Sequence, residues 1–154
     1  MKYLITGAAG FIGSSLTREL VNRGQEVLTI DNLNNYYSPK LKERRLKAFG
    51  IGSKCNFINL DICDRDFLRK VIKEFNPDQI IHLAAQAGVR LPPTKNQKYV
   101  MCNIVGFENI LSASTEFGIS GLLYASSSSV YGNKTFPPYS EKEVSLNPTS
   151  FYGF

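Results

Sequence analysis

Histidine is nearly absent from this 154-residue chain: His82 is the only one. A histidine-based catalytic dyad and a multi-histidine metal site are thereby excluded. His82 closes the apolar run Gln79-Ile80-Ile81-His82-Leu83 and reads as structural rather than catalytic. The three cysteines, Cys55, Cys63 and Cys102, are odd in number and scattered, with no Cys-x-x-Cys pair. They fit neither a disulfide framework nor a zinc site, and are the pattern of reduced thiols in a cytoplasmic protein. No metal centre is expected. No apolar run reaches the roughly 18 residues that span a bilayer, so no membrane partner is expected. Met1-Lys2-Tyr3-Leu4 passes directly into a strand and then Gly7, which is not the pattern of a signal peptide. A large excess of charge is also lacking, since the net value is +5. Much of it comes from Lys40, Lys42, Arg44, Arg45 and Lys47, read here as the solvated face of a helix, and no nucleic-acid partner is expected.

What is present is the composition of a soluble globular protein, 43% hydrophobic and 20% charged. The length suits one domain over residues 1–154 with a substantial core, and is too short for two ordinary ones. Strand-like apolar runs recur near 2–6, 26–31, 55–60, 79–84 and 120–126. Helical stretches fall between them, Phe11 to Arg23, Pro39 to Phe49, Asp64 to Phe75 and about Pro93 to Phe117. This alternation predicts an α/β fold, a Rossmann-type doubly wound parallel sheet. Asp64 is placed to cap its helix, Asn76-Pro77 to end it, and Gly118 to end the last one. From Gly132 to Ser150 the chain is rich in Pro, Ser, Thr and Asn and reads as a long functional loop.

The first strand runs into Thr6-Gly7-Ala8-Ala9-Gly10-Phe11-Ile12-Gly13, and the second closes on Asp31. Gly7 lets the chain turn off the strand, Gly10 lets the backbone approach a pyrophosphate, and Gly13 lets the helix pack on the sheet. Asp31 can then accept hydrogen bonds from a ribose hydroxyl. A glycine turn in a strand–turn–helix–strand frame, with an acid at this distance, reads as a dinucleotide site.

The whole chain resembles the N-terminal half of an extended short-chain dehydrogenase/reductase, and within that superfamily the nucleotide-sugar epimerases of the UDP-glucuronate 4-epimerase type. The blocks that carry this are the glycine turn, Asp31-Asn32-Leu33-Asn34-Asn35-Tyr36-Tyr37, Asp61-Ile62, and His82 through Arg90. Asn103-Ile104-Val105-Gly106, Tyr124 through Gly132, and Ser150-Phe151-Tyr152-Gly153 follow in family order. The resemblance implies NAD as cofactor, and an acid at 31 repels the 2′-phosphate of NADP. It places Gly7, Ala9, Gly10, Phe11, Ile12 and Gly13 on the cofactor. Asp31 and Asn32 would hold the adenosine ribose, with Asp61 and Ile62 beside the adenine. Leu83, Ala84 and Ala85 would line the channel, Asn103 would brace the strand ends near the nicotinamide, and Gln86 and Arg90 would meet the substrate. Two places depart from the pattern: Leu91-Pro92-Pro93-Thr94 lacks the serine and acidic residues usual after the arginine, and Phe154 is bulkier than the small residue common there.

In this family a tyrosine takes the proton of the sugar 4-hydroxyl while a hydride leaves for NAD+. A serine or threonine hydrogen-bonds the same oxygen, and a lysine four residues after the tyrosine lowers its pKa. Tyr152 matches the tyrosine and Ser127 the hydroxyl, with Ser128 its neighbour. Relatives that dehydrate or decarboxylate usually carry an acid where Ser128 and Ser129 stand, which favours an epimerase. The lysine would be residue 156, beyond Phe154. An ordinary tyrosine is ionised in roughly one molecule in a thousand at neutral pH. A lost tuned base commonly costs about 10² to 10⁴ in rate. The expectation is a cofactor-binding half that is inactive alone, truncated before the last strands and the sugar-binding domain. It should show apolar surface at one flank of the sheet and Tyr152 on a frayed end. The alternatives are a non-catalytic NAD-binding module and a nucleotide-sugar dehydratase or decarboxylase. A UDP-sugar substrate and a homodimer, formed through the helix before Phe117 and one after Tyr152, belong to the full-length expectation.

Overall fold

The structure, a computed structural model, describes residues 1–89, 92–133, 138–142 and 148–153. Its centre is a parallel sheet of five strands in the order β3-β2-β1-β4-β5. The strands are β1 (Lys2–Thr6), β2 (Glu26–Asp31), β3 (Asn56–Asn59), β4 (Gln79–His82) and β5 (Gly121–Tyr124). The chain winds outward from β1 to β3, then crosses back to lay β4 on the other side of β1. That reversal opens a crevice beyond the C-terminal ends of β1 and β4, where ligands of such folds bind.

Alternate residues of each strand feed two cores. Leu4, Leu28, Ile30 and Ile80 pack against Leu68, Val71 and Ile72 of α3 (Arg65–Phe75) and Ile110 and Ala113 of α5 (Phe107–Glu116). On the opposite face Ile5, Val27 and Ile81 pack against Leu16, Leu20 and Val21 of α1 (Phe11–Asn22). Leu46 of α2 (Pro39–Phe49) joins Ala9 and Ile51 in a third cluster. Layers on both faces make this the doubly wound sheet that the alternation of elements predicts. Leu123, pointing to the α1 face from the edge strand, is 63% exposed, the apolar flank expected there.

Local signals account for most element ends. Asp64 caps α3 by accepting the Phe67 N–H, and Asn76 ends it in the left-handed region at φ 48°. Gly118 (φ +63°) follows α5. The helix expected without interruption from Pro93 to Phe117 is instead a composite. A 3-10 turn (Pro93–Lys95) leads into α4 (Asn96–Tyr99), a π-helical segment (Val100–Gly106) and then α5. The described parts of 132–150 contain no helix or strand, as the loop reading expects. Among the described residues, no helix is long and apolar enough to cross a membrane.

Candidate cofactor and active site

The turn after β1 is shaped by backbone proximity. Gly7 lies at φ +70°, and a Cβ there would come within 2.7 Å of the Leu83 and Ala84 backbone. A Cβ on Gly13 would overlap the Gly7 carbonyl, and one on Gly10 would sit 3.0 Å from the same oxygen. Helix α1 starts at once, with no acidic residue in its first turn and no side-chain cap. The first N–H with a helical partner is that of Ser14, which reaches the Gly10 carbonyl. The N–H groups of Phe11, Ile12 and Gly13 are thus left for an outside acceptor, beside the positive end of the helix dipole. A pyrophosphate fits this cradle by charge and by the missing β-carbons.

A cavity of about 290 Å³ runs from this turn along the ends of β2, β1 and β4. Of the residues assigned to a cofactor, Gly7, Gly10, Phe11, Ile12, Gly13, Asp31 and Asn32 line it, as do Ile62, Leu83, Ala84 and Ala85. Ala9 and Asp61 do not line it but hold residues that do. Ala9 N–H donates to Asp31 Oδ2 (3.0 Å), and Asp61 Oδ2 accepts from Asn32 Nδ2 (2.9 Å). Burial pushes the Asp61 carboxyl upward, but hydrogen bonds from Cys63 and Asn32 outweigh it and leave its pKa below the usual value.

Asp31 is 7% exposed and already engaged. Its Oδ1 accepts the Leu33 N–H at 2.8 Å and lies 3.6 Å from Lys42 Nζ. Here the basic face of α2 departs from the solvated reading. Lys42 is 4% exposed, donates to Asn34 Oδ1 (3.0 Å) and sits over the Tyr37 ring. Arg45 also turns inward, donating to the Tyr37 hydroxyl and lying over the Tyr37 and Phe11 rings. The apolar stems of both chains cover aromatic surface, while the buried carboxylate gives Lys42 a counter-charge. Lys42 lines the cavity, a place that could not be read from charge periodicity, which does not say which face an acid will meet.

A second cavity, about 450 Å³, opens beside the first and shares Leu83, Ala84, Ala85 and Ala125 with it. Ser127 and Tyr152 both line it, so the structure brings the two expected catalytic groups to one space. Ser127 Oγ accepts the Ser129 N–H at 3.2 Å, which orients the hydroxyl as cap of the short helix Ser128–Tyr131. Ser128 is exposed and is not part of the lining, whereas Ser126 is. Tyr152 is half-buried rather than frayed, its ring 5.6 Å from that of Tyr99. Asn103 lines this cavity too and grips the chain beyond β4 at two points. Its Oδ1 accepts the Gln86 N–H (2.8 Å), and its Nδ2 donates to the Gln86 carbonyl (3.1 Å). Gln86 itself is buried and absent from both linings. Arg90 lies outside the described residues. The cysteines are free thiols, and burial first of all pushes Cys63 up to about 12 and Cys102 to about 11, so neither is a nucleophile at neutral pH.

A parallel sheet reversing at β1 and β4, with a bare helix start and an acid at the end of β2, defines a dinucleotide-binding Rossmann fold. The sequence pattern of the NAD dependent epimerase/dehydratase family matches residues 3–154, and the chain belongs to that family. It is 46% identical to Protein CapI of Staphylococcus aureus over 152 residues, covering 99% of this chain and 45% of that protein. With UDP-glucuronate 4-epimerase 4 of Arabidopsis thaliana the identity is 42%, over 97% of this chain and 34% of the plant protein. Among solved structures, UDP-glucuronic acid 4-epimerase from Bacillus cereus, in complex with UDP-glucuronic acid and NAD, superposes with a TM-score of 0.88 at 35% identity. That match covers 99% of this chain and 48% of the bacillar one. The chain therefore spans half or less of the length of these relatives.

Proposed function

We propose that these residues form the NAD-binding half of a UDP-sugar 4-epimerase that interconverts UDP-glucuronate and UDP-galacturonate. The observation that carries the reading is the pair of joined cavities, one fitted to a dinucleotide and the other holding a tyrosine and a serine. Leu83, Ala84 and Ala85 form the wall common to both. In this reading the α1 start binds the pyrophosphate, Asp31 and Asn32 hold the adenosine ribose, and the shared wall carries the nicotinamide end. NAD supplies a hydride acceptor that can return the hydride to either face of the sugar C4. Tyr152 removes the proton of the 4-hydroxyl and gives it back, while Ser127 hydrogen-bonds that oxygen and keeps it facing the phenol. Arg90 binds the sugar, while Gln86, buried and clamped by Asn103, supports the segment that leads to it. The identities to UDP-glucuronate 4-epimerases support this substrate, and serines at 128 and 129 favour epimerase over dehydratase or decarboxylase.

Exposed Met101, Ile104 and Leu111 along one side of the helix before Phe117 support a homodimer through that helix. Leu111→Asp should then lower the sedimentation coefficient of the dimer towards that of a monomer, and an unchanged value would count against this interface. Activity is tested by incubating the whole protein with UDP-glucuronate and resolving the products. Tyr152→Phe should reduce turnover by about 10² or more while NAD stays bound. Near-normal turnover in that variant would remove Tyr152 from the chemistry, and a dehydrated or decarboxylated product would replace the epimerase reading.

A further inference from the structure

His82 is buried at 6% exposure, yet it borders the cavity that holds Ser127 and Tyr152, and the reaction above makes no use of it. Its surroundings determine where its proton sits. Thr6, fully buried on the neighbouring strand, accepts the N–H groups of Leu83 (3.2 Å) and Ala84 (3.1 Å) on its Oγ1. The same Oγ1 lies 2.7 Å from His82 Nδ1. A hydroxyl has two acceptor sites and one hydrogen. The Leu83 N–H is shared between Oγ1 and the Thr6 carbonyl, 3.2 Å from each, while the Ala84 N–H points to Oγ1 alone. With its acceptor side so occupied, the hydroxyl turns its hydrogen to Nδ1, which presents a lone pair. The ring proton is then on Nε2. Burial pushes the imidazole down to about 4 and keeps it neutral at ordinary pH.

The sheet register fixes the direction of that proton. Thr6, His82 and Tyr124 are paired in a row across β1, β4 and β5. With Nδ1 turned to β1, the Nε2 edge lies on the β5 side, where the cavity opens. Phe107 stacks on the ring (5.3 Å, 16°) and offers no acceptor. Thr6 and Phe107 are the side chains in contact with the imidazole, Tyr124 packs on Phe107 beside it, and no Asp, Glu, Lys or Arg is among them. Among the described residues no acceptor reaches Nε2–H. Buried donors in folded proteins are almost always paired.

We propose that His82 is a ligand-binding residue, held by Thr6 as the neutral Nε2–H tautomer and donating to an oxygen at the nicotinamide end of the bound dinucleotide. The proposal rests on the cofactor reading above. It also gives Thr6 a double task, fixing the tautomer and tying down the shared cavity wall at Leu83 and Ala84.

Because the chain has a single histidine, its imidazole resonances need no assignment. In protein carrying ¹⁵N-histidine, a long-range ¹H–¹⁵N spectrum should show Nε2 protonated and Nδ1 bare, unchanged from about pH 8 to about pH 5.5. At saturation with NAD+, followed in parallel by calorimetry, the Nε2 signal should move and Nδ1 stay nearly fixed. Thr6→Ser should preserve both results. Thr6→Val should produce a tautomer mixture and weaken NAD+ binding roughly tenfold. An Nδ1–H tautomer, a mixture in the unaltered protein, or titration near the ordinary 6.5 would overturn the proposal. So would an unmoved Nε2 signal when calorimetry reports full occupancy. Absence of NAD+ binding by the folded protein would overturn the cofactor reading and the ligand half of this proposal together, and the calorimetry identifies that case. If Thr6→Val does not fold, the unaltered protein and Thr6→Ser decide.

Discussion

Asp31 takes the Ala9 N–H on one oxygen and the Leu33 N–H on the other, so its carboxylate ties the glycine turn to the segment after β2 before any ligand arrives. An ionised carboxylate has about four acceptor sites, which leaves room for a ribose hydroxyl beside these bonds. From sequence alone, Asp31→Ala is expected to weaken NAD binding more than folding. The structure revises that expectation, because the substitution also leaves two N–H groups without their acceptor, a cost of about 2 kcal/mol in urea unfolding. Lys42 completes the cluster. Replacing it by Met keeps the stem on Tyr37 but leaves the buried carboxylate without a cation. The loss should be about 1–3 kcal/mol, below the usual figure for a broken buried pair because the N–H bonds remain. Unchanged stability in Lys42→Met would mean the 3.6 Å pair contributes little. None of this could be read from α2 itself, whose Lys and Arg residues look alike until the fold sets Asp31 beneath one of them.

The glycine turn and the π-helical segment set the two ends of the site, and they differ in how visible they were. The turn was legible because its geometry demands glycine, and Gly13 shows why. A methyl group there meets the Gly7 carbonyl and the Ala8 backbone, which cannot move without shifting the helix. Gly13→Ala should therefore cost about 1–3 kcal/mol and abolish NAD binding in a titration, and retained affinity would contradict the close-packed turn. The π-helical segment was not legible. Its apolar spacing is that of an ordinary helix, and its wider winding follows from tertiary contacts. Asn103 clamps Gln86 from within it, and a side chain at Gly106 would run into Ile62. Such irregular turns gather at functional sites, here beside the cavity lined by Ser127 and Tyr152. Asn103→Ala should cost about 2 kcal/mol and raise hydrogen exchange at the Gln86 amide. Exchange as slow as in the unaltered protein would show that the clamp is dispensable.

At the scale of the molecule, His82 links the site to stability. Its pKa falls from 6.5 to about 4 on folding, so the unfolded chain binds the proton more readily. The stabilisation is complete above about pH 6.5 and declines as pH falls towards 4, a loss of roughly 3 kcal/mol over that window. Urea midpoints measured across it should drop, and a flat profile would contradict the buried neutral imidazole. The fold itself was legible from the alternation of apolar runs with helical stretches, because a parallel sheet needs a crossover between successive strands. The neighbours of each strand were not, since the order β3-β2-β1-β4-β5 is a property of the packed sheet. The meeting of Ser127 with Tyr152 was expected from family resemblance, and the loop residues that bring them together carry no periodic signal. Binding of NAD at the joined cavities is the claim on which the chemistry, the His82 donor and the Gly13 prediction all depend. Calorimetric titration of the folded chain with NAD+ tests it most directly. The account predicts one site per chain, lost in Gly13→Ala; no binding by a chain whose folding is verified by circular dichroism would contradict it.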